Sequence, residues 1–317
     1  MEKTEKRDTV SRGKKTPFKR EKVYVDAVDK YLDTRQERFL SALSPNLNVM
    51  ISAVQKAGRG LMRDFGEIER LQISQKGAAD FVSSADMNSE RALRTFLREA
   101  RPRYGFLQEE SGAVQGADTS HRFIIDPLDG TTNFLHGIGH FAISVALQED
   151  NAIIAGVIYN PVTSELYYAE KGNGAWASVF GHTFRLRVSD RSSLNKAVLA
   201  TGIPHLGHSN PVSFARQLAP VMEKTAGVRR MGAASLDMAY VAAGKFEGFW
   251  EEDLKPWDVA AGILLVKEAG GHVCTLDGDE NVKTILEGKS VLATNDSLYA
   301  PLQRMLKNKP EQKTEQQ

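Results

Sequence analysis

The nine-residue stretch Asp126-Pro127-Leu128-Asp129-Gly130-Thr131-Thr132-Asn133-Phe134 restricts the fold of this chain more than any other. It follows the apolar run Phe123-Ile124-Ile125, which reads as a strand. Pro127 fixes φ and has no N–H to give to a ladder, so the strand is expected to end there. Gly130 permits a tight turn, and Thr131 or Thr132 suits the cap of a following helix. One strand tip thereby gathers two carboxylates, a hydroxyl and the N–H groups of a helix start. Such a set suits divalent cations together with a phosphate.

The flanking sequence reads as layered α/β architecture. Leu47, Met50, Ile51, Val54 and Leu61 recur at helical spacing after Ser44-Pro45. A second helix is expected over 85–99, started by Ser83 or Ser84 and stopped before Pro102. Short strands follow at 105–108, 122–126, 141–148, 152–159 and 165–170. Asp150-Asn151 reads as a hairpin turn and Gly172-Asn173-Gly174 as another turn. Beyond residue 190 strands and helices alternate. Strands are expected at 197–201, 228–230, 246–251 and 271–275, and helices at 211–224, 235–243, 256–269 and 296–306.

The ends of the chain differ from this core. Residues 1–38 carry 12 Lys and Arg against 8 Asp and Glu, with few aliphatics. Residues 1–42 are therefore expected to be a basic polar tail, disordered or holding a loose helix over 23–43. Residues 43–307 form the expected catalytic domain, two packed α/β halves divided near residue 190, and 308–317 a second polar tail. The formal net charge of the whole chain is only +1, which gives no general case for nucleic acid or membrane. Cys274 is the single cysteine, so an intrachain disulfide is excluded. No apolar run approaches the roughly 20 residues of a membrane span, and the N-terminus lacks a secretion-signal core. These features together point to the cytoplasm.

Three further acids matter. Glu109-Glu110-Ser111-Gly112 follows the strand at 105–108, and Asp258 opens the helix at 256–269. Singly, each has an ordinary account: a solvated loop, or a carboxylate complementing a helix dipole by about 0.3–1 kcal/mol. Together, Glu109, Asp126, Asp129 and Asp258 all sit at strand or helix ends, which converge on one edge of a layered sheet. Four carboxylates there repel one another unless cations neutralise them. The Leu128 carbonyl, held between two acids, is a further candidate ligand.

The 126–133 stretch and Trp257-Asp258-Val259-Ala260-Ala261-Gly262 resemble the two signature motifs of the inositol monophosphatase family. Glu109-Glu110-Ser111 resembles its Gly-Glu-Glu-Ser element, with Gln108 in place of the glycine. The likeness runs from about Leu47 to Leu306, and the stretches at 202–207 and 232–237 look most like its bacterial members. The resemblance implies a five-layer αβαβα sugar-phosphatase sandwich, usually dimeric, and Mg²⁺-dependent hydrolysis of a phosphomonoester.

Carried over by position, Glu109, Asp126 and the Leu128 carbonyl match a first Mg²⁺ site. Asp126, Asp129 and Asp258 match a second, which in the family tends to accept Li⁺. Asp86, in the Lys76…Asp80…Asp86 region, matches a third and weaker one; its ordinary alternative is a helix-start carboxylate. Thr131, with Glu109, matches the hydroxyl that orients the attacking water. Gly130, Thr131 and Thr132 match the phosphate-contacting turn. Gly232, Ala233, Ala234, Glu251 and Asp258 match substrate contacts. The expected substrate is inositol monophosphate or a similar small polyol phosphate. Histidinol phosphate, fructose 1,6-bisphosphate and 3′-phosphoadenosine nucleotides are alternatives. Bacterial members are also associated with transcription and RNA processing, which keeps a binding role open. His136, His140, His205 and His208 read as structural or surface residues.

Overall fold

A computed structural model of the protein describes residues 43–68, 73–77, 80–205, 209–288 and 290–307. The expectations for residues 1–42 and 308–317, and for His208, fall outside them. The first helix, α1 (Pro45–Phe65), begins where Ser44 accepts the Leu47 N–H at 3.2 Å, and it buries Leu47, Met50, Ile51, Val54 and Leu61 on one face. A hairpin of β1 (Ile73–Gly77) and β2 (Asp80–Ser83) leads into α2 (Ser84–Ala100), capped by Ser83.

The large sheet follows. Its strands are β3 (Gly105–Gln108), β4 (Gly112–Val114), β5 (His121–Asp129), β6 (Ala142–Glu149), β7 (Ala152–Asn160), β8 (Glu165–Glu170), β9 (Ala175–Val179) and β10 (His182–Arg185). They lie in the order β10-β9-β8-β7-β6-β5-β3-β4, with β3 and β5 parallel. A short helix, α3 (Thr131–Leu135), separates β5 from β6.

The second half runs β11 (Val198–Thr201), α4 (Pro211–Lys224), β12 (Gly227–Arg229), α5 (Ala234–Ala242), β13 (Gly248–Glu252), α6 (Pro256–Glu268), β14 (His272–Cys274), α7 (Val282–Glu287), β15 (Ser290–Thr294) and α8 (Asp296–Leu306). The small sheet has the order β12-β11-β13-β15-β14.

Helix α6 explains the layering. Every residue from Val259 to Val266 is buried, so the helix is apolar around its whole circumference. Such a helix must be covered on all sides. It pairs with α5 and packs on β5–β9 of the large sheet and on β14 and β15 of the small one. Gly156 on β7 lets it approach: a Cβ there would lie 3.0 Å from the Ala261 carbonyl. The alternation of β13 then separates two cores. Phe249 faces the α5–α6 layer, while Trp250 packs with Val221, Leu298 and Leu302 of α4 and α8. Helices α1 and α2 cover the remaining face of the large sheet, which completes the αβαβα sandwich.

The structure differs from the sequence reading in places. Strand β5 does not stop at Pro127. Its pairing with β6 skips two residues after Asp126↔Ser144 and resumes at Asp129↔Ala142. A bulge lets Pro127, which has no N–H, pass without a lost ladder bond. The β9–β10 hairpin, α7 and β15 were not expected. Strand β10 is exposed at every position and carries no alternation for a sequence pattern to reveal. Cys274 is buried as expected, and burial pushes its thiol up to about 11. Among the described residues no helix is long and apolar enough to cross a membrane.

Candidate active site

Parallel strands β3 and β5 end side by side, and the Glu109 N–H continues their pairing by donating to the Ile125 carbonyl at 3.2 Å. The turn after β3 is held by Glu90 of α2, only 2% exposed. Its carboxylate accepts from the Glu110 N–H at 2.9 Å, the Ser111 N–H at 3.4 Å and the Ser111 hydroxyl. Sequence reasoning missed Glu90, because a lone Glu on a helix gives no sign of being buried.

The bulge of β5 forms the facing turn. Asp126 Oδ1 accepts the Leu128 N–H at 2.9 Å, and Ser89 donates to the Pro127 carbonyl at 2.8 Å. Gly130 has φ +90°, and a Cβ there would lie 3.1 Å from the Gly232 carbonyl and 3.2 Å from that of His140. Backbone conformation and crowding both demand glycine. Thr131 donates to Asp86 Oδ1 at 3.1 Å and to the Leu128 carbonyl at 3.0 Å. Asp86 is 1% exposed and also caps α2, accepting the Ser83 N–H at 2.8 Å and its hydroxyl at 2.6 Å. The helix-start role of Asp86 is therefore real, and the same carboxylate reaches Thr131. Thr132 is exposed at the same turn.

The small-sheet half contributes from across the chain. Asp129 caps α5, accepting from the Ala234 N–H at 3.2 Å, the Ser235 N–H at 2.7 Å and the Ser235 hydroxyl. The Ala234 amide is thus engaged by Asp129, while Gly232 and Ala233 pack against Gly130. Asn133 ties the halves together by donating to the carbonyls of His140 at 2.8 Å and Met231 at 2.9 Å. Asp258, in the first turn of α6, accepts the Lys255 N–H at 2.7 Å. Glu251, at the end of β13, lies against Gly202. A cavity of about 370 Å³ opens between Glu109, Asp258 and Glu251.

The acids perturb one another. Burial raises Asp126 well above the usual carboxylate range, and the negative charges of Glu109, Asp129 and Asp258 raise it further. Desolvation also raises Asp258, with Asp129 and Glu109 adding to it. Asp129 is pushed up to about 6 by burial, opposed by its hydrogen bonds to Ser235 and Ala234. Glu251 is pushed up to about 7 by burial, held back by the positive charge of Arg230. Asp237, one turn into α5, is a further buried carboxylate, raised by burial and by Glu251. Burial raises Asp86 as well.

The expected ligands are thus brought within electrostatic reach of one another. Among the described residues, however, no three His, Cys, Asp or Glu side chains are gathered closely enough to ligate an ion as they stand. Asp126, Asp129 and Asp258 each turn an oxygen to backbone N–H groups. The donor set itself fits a hard divalent cation: all oxygen, anionic and self-repelling.

Comparison with known proteins agrees with this architecture. Residues 42–311 match the sequence profile of the inositol monophosphatase family. An inositol-1-monophosphatase of Caulobacter vibrioides is 52% identical over 259 residues, covering 81% of this chain and 99% of the relative. A putative Nus factor SuhB of Neisseria meningitidis serogroup B is 40% identical over 264 residues, covering 83% and 98%. The crystal structure of the extragenic suppressor protein suhB from Bartonella henselae superimposes with a TM-score of 0.79 at 50% identity, covering 84% of this chain and 99% of the other.

Proposed function

This chain belongs to the inositol monophosphatase family, and from that premise we propose that it is a Mg²⁺-dependent phosphomonoesterase, acting on inositol monophosphate or a similar small polyol phosphate. The observation that carries this reading is that Asp126 and Asp258 are buried and raised well above the usual carboxylate range, first by desolvation and then by the neighbouring charges of Asp129 and Glu109. Carboxylates placed so close stay ionised at neutral pH only when positive charge joins them. Glu109, Asp126 and the Leu128 carbonyl would hold one Mg²⁺, and Asp126, Asp129 and Asp258 a second, with Asp86 near a third. Bound there, the cations supply charge neutralisation and a lowered water pKa.

The chain's own residues do the positioning, which is most of the work in phosphoryl transfer. Asp86 accepts a hydrogen bond from the Thr131 hydroxyl. That leaves the Thr131 oxygen lone pairs able to accept a hydrogen bond from the attacking water and so turn the water's own lone pair toward phosphorus. Glu109, on the facing turn, is the second partner of that water. The turn at Gly130, Thr131 and Thr132 receives the phosphate. Glu251 and the Gly232–Ala233 backbone meet the polyol hydroxyls. The leaving alkoxide takes its proton from water. Li⁺ at millimolar levels should inhibit by occupying the Asp126–Asp129–Asp258 site. A cytoplasmic homodimer is the assembly we propose. Phosphate release over a panel of phosphomonoesters, with and without Mg²⁺, tests the reading; no release from any of them would overturn it.

A second reading is a binding role in transcription, which draws on relatives named Nus factor SuhB at 38–40% identity. It predicts that Asp129→Asn keeps association with transcription complexes while losing phosphatase activity.

A further inference from the structure

Resting on the phosphomonoesterase reading, we infer that Asn133 is a positioning residue that couples the two halves of the site. Its side-chain amide sets the place of the Met231–Gly232 backbone relative to the phosphate turn, so it governs how well the alcohol part of an ester is received while that of the phosphate is not its concern.

The turn before α5 is held from both sides. Asp129 takes the donor side, accepting from the Ala234 N–H at 3.2 Å and the Ser235 N–H at 2.7 Å. Asn133 takes the carbonyl side. Its Nδ2 donates to the carbonyls of His140 at 2.8 Å and Met231 at 2.9 Å, and that of Gly232 lies 3.5 Å away. Three carbonyl oxygens around one atom admit only the nitrogen of the amide, since its oxygen has no hydrogen to give them. The hold starts from a fixed base. The Asn133 carbonyl accepts the Ile138 N–H at 2.9 Å and the His136 N–H at 3.2 Å. Its far end is equally confined. Gly232 has φ +91°, and a Cβ there would lie 2.9 Å from Asn133 Nδ2 and closer still to the Arg230 guanidinium.

The two holds differ in chemistry. The Asp129 oxygens are also proposed to meet a cation, whereas the Asn133 donors touch only carbonyls, so their hold is independent of bound metal. The separation they keep is short: a Cβ on Gly130 of the phosphate turn would lie 3.1 Å from the Gly232 carbonyl. One oxygen joins phosphate to alcohol in an ester, so the two turns that receive them must keep a set spacing. An error of about 1 Å in such placement costs up to about 10²-fold. An alcohol without hydroxyls makes no use of the Gly232–Ala233 backbone and is indifferent to where it lies.

The test compares kcat/KM for inositol 1-phosphate and p-nitrophenyl phosphate in wild type, Asn133→Asp and Asn133→Ala. The aspartate keeps the shape of the side chain and removes both donors; the alanine removes the group. Differences in leaving-group reactivity cancel when each variant is compared with wild type. The ratio of inositol 1-phosphate to p-nitrophenyl phosphate should fall by roughly tenfold in both variants. The loss should lie mainly in KM, as expected when binding rather than chemistry is disturbed. Gly232→Ala presses on the same amide from the other side and should lower the ratio too, which decides the matter where neither Asn133 variant folds. Amide exchange over residues 231–235 of the metal-free protein should quicken in Asn133→Asp. A ratio unmoved by the variants, whether both esters slow together or neither does, overturns the coupling role and leaves the phosphatase reading standing. Unchanged exchange at 231–235 overturns it as well. Hydrolysis of neither ester by wild type overturns the phosphatase reading and this inference with it.

Discussion

Asp129, the last residue of β5, accepts hydrogen bonds from the backbone N–H of Ser235 at 2.7 Å and from its hydroxyl, 106 positions later in the chain. One carboxylate thus caps α5 and faces the other site acids. The helix-start donors stabilise its charge. This is why Asp129 rises only to about 6, while Asp126, which accepts one backbone N–H, rises well above the ordinary range.

Asp129→Asn should reduce phosphate release by on the order of 10²-fold or more. The substitution removes a charge from the proposed second cation site. Its hydrogen bond to Ala234 is lost, but so is a repelling charge among buried acids, so the metal-free protein should melt within a few degrees of wild type. A folded variant with near-normal turnover would refute the ligand assignment.

Thr131→Ala should lower kcat and kcat/KM together, because orientation of the water is needed mainly in the transition state. Asp86→Asn should do the same through the Thr131 hydroxyl. The double variant should be little worse than either single one, as expected of residues acting as a unit. Additive losses from the two changes would show that they act separately. A Thr131→Ala protein that melts earlier but turns over normally would return Thr131 to a structural role.

Glu90→Ala removes the acceptor for two N–H groups and the Ser111 hydroxyl. Losing these part-buried hydrogen bonds to a buried carboxylate costs on the order of 1–2 kcal/mol. The turn that carries Glu109 loosens, so kcat/KM should fall as well, with partial recovery in Glu90→Gln. Chemical denaturation beside steady-state kinetics checks both halves; a variant unchanged in stability would count against the pinning role.

The metal-free protein should lose stability as pH rises. Asp126, Asp129 and Asp258 all have native pKa values above their unfolded value of 3.8, with Asp129 near 6. Between the unfolded and native values the native state holds protons that the unfolded chain has released, so raising pH through that window destabilises the fold. Chelator-treated protein should melt higher at about pH 5 than at about pH 7.5, and Mg²⁺ should raise the melting temperature more at the higher pH. A melting temperature insensitive to both would mean that the acids are not coupled as their geometry indicates.

Much of this protein was legible in its sequence. The 45–65 and 211–224 helices announce themselves through apolar period and N-terminal caps, both of which are local. The acids at 109, 126, 129 and 258 stand out because each follows a strand or opens a helix, and strand ends share an edge. Tertiary structure alone decided the rest. Nothing local shows that Asp129 caps a helix 105 positions away, that Glu90 is buried under the Glu109 turn, or that Asp86 joins Thr131. Each depends on which elements become neighbours, and that is set by packing α6 between two sheets. Local sequence fixes backbone conformation through steric and hydrogen-bonding limits on a few residues. The partners of a buried carboxylate are chosen by the whole core, because burial makes an unpaired charge too costly to leave unanswered.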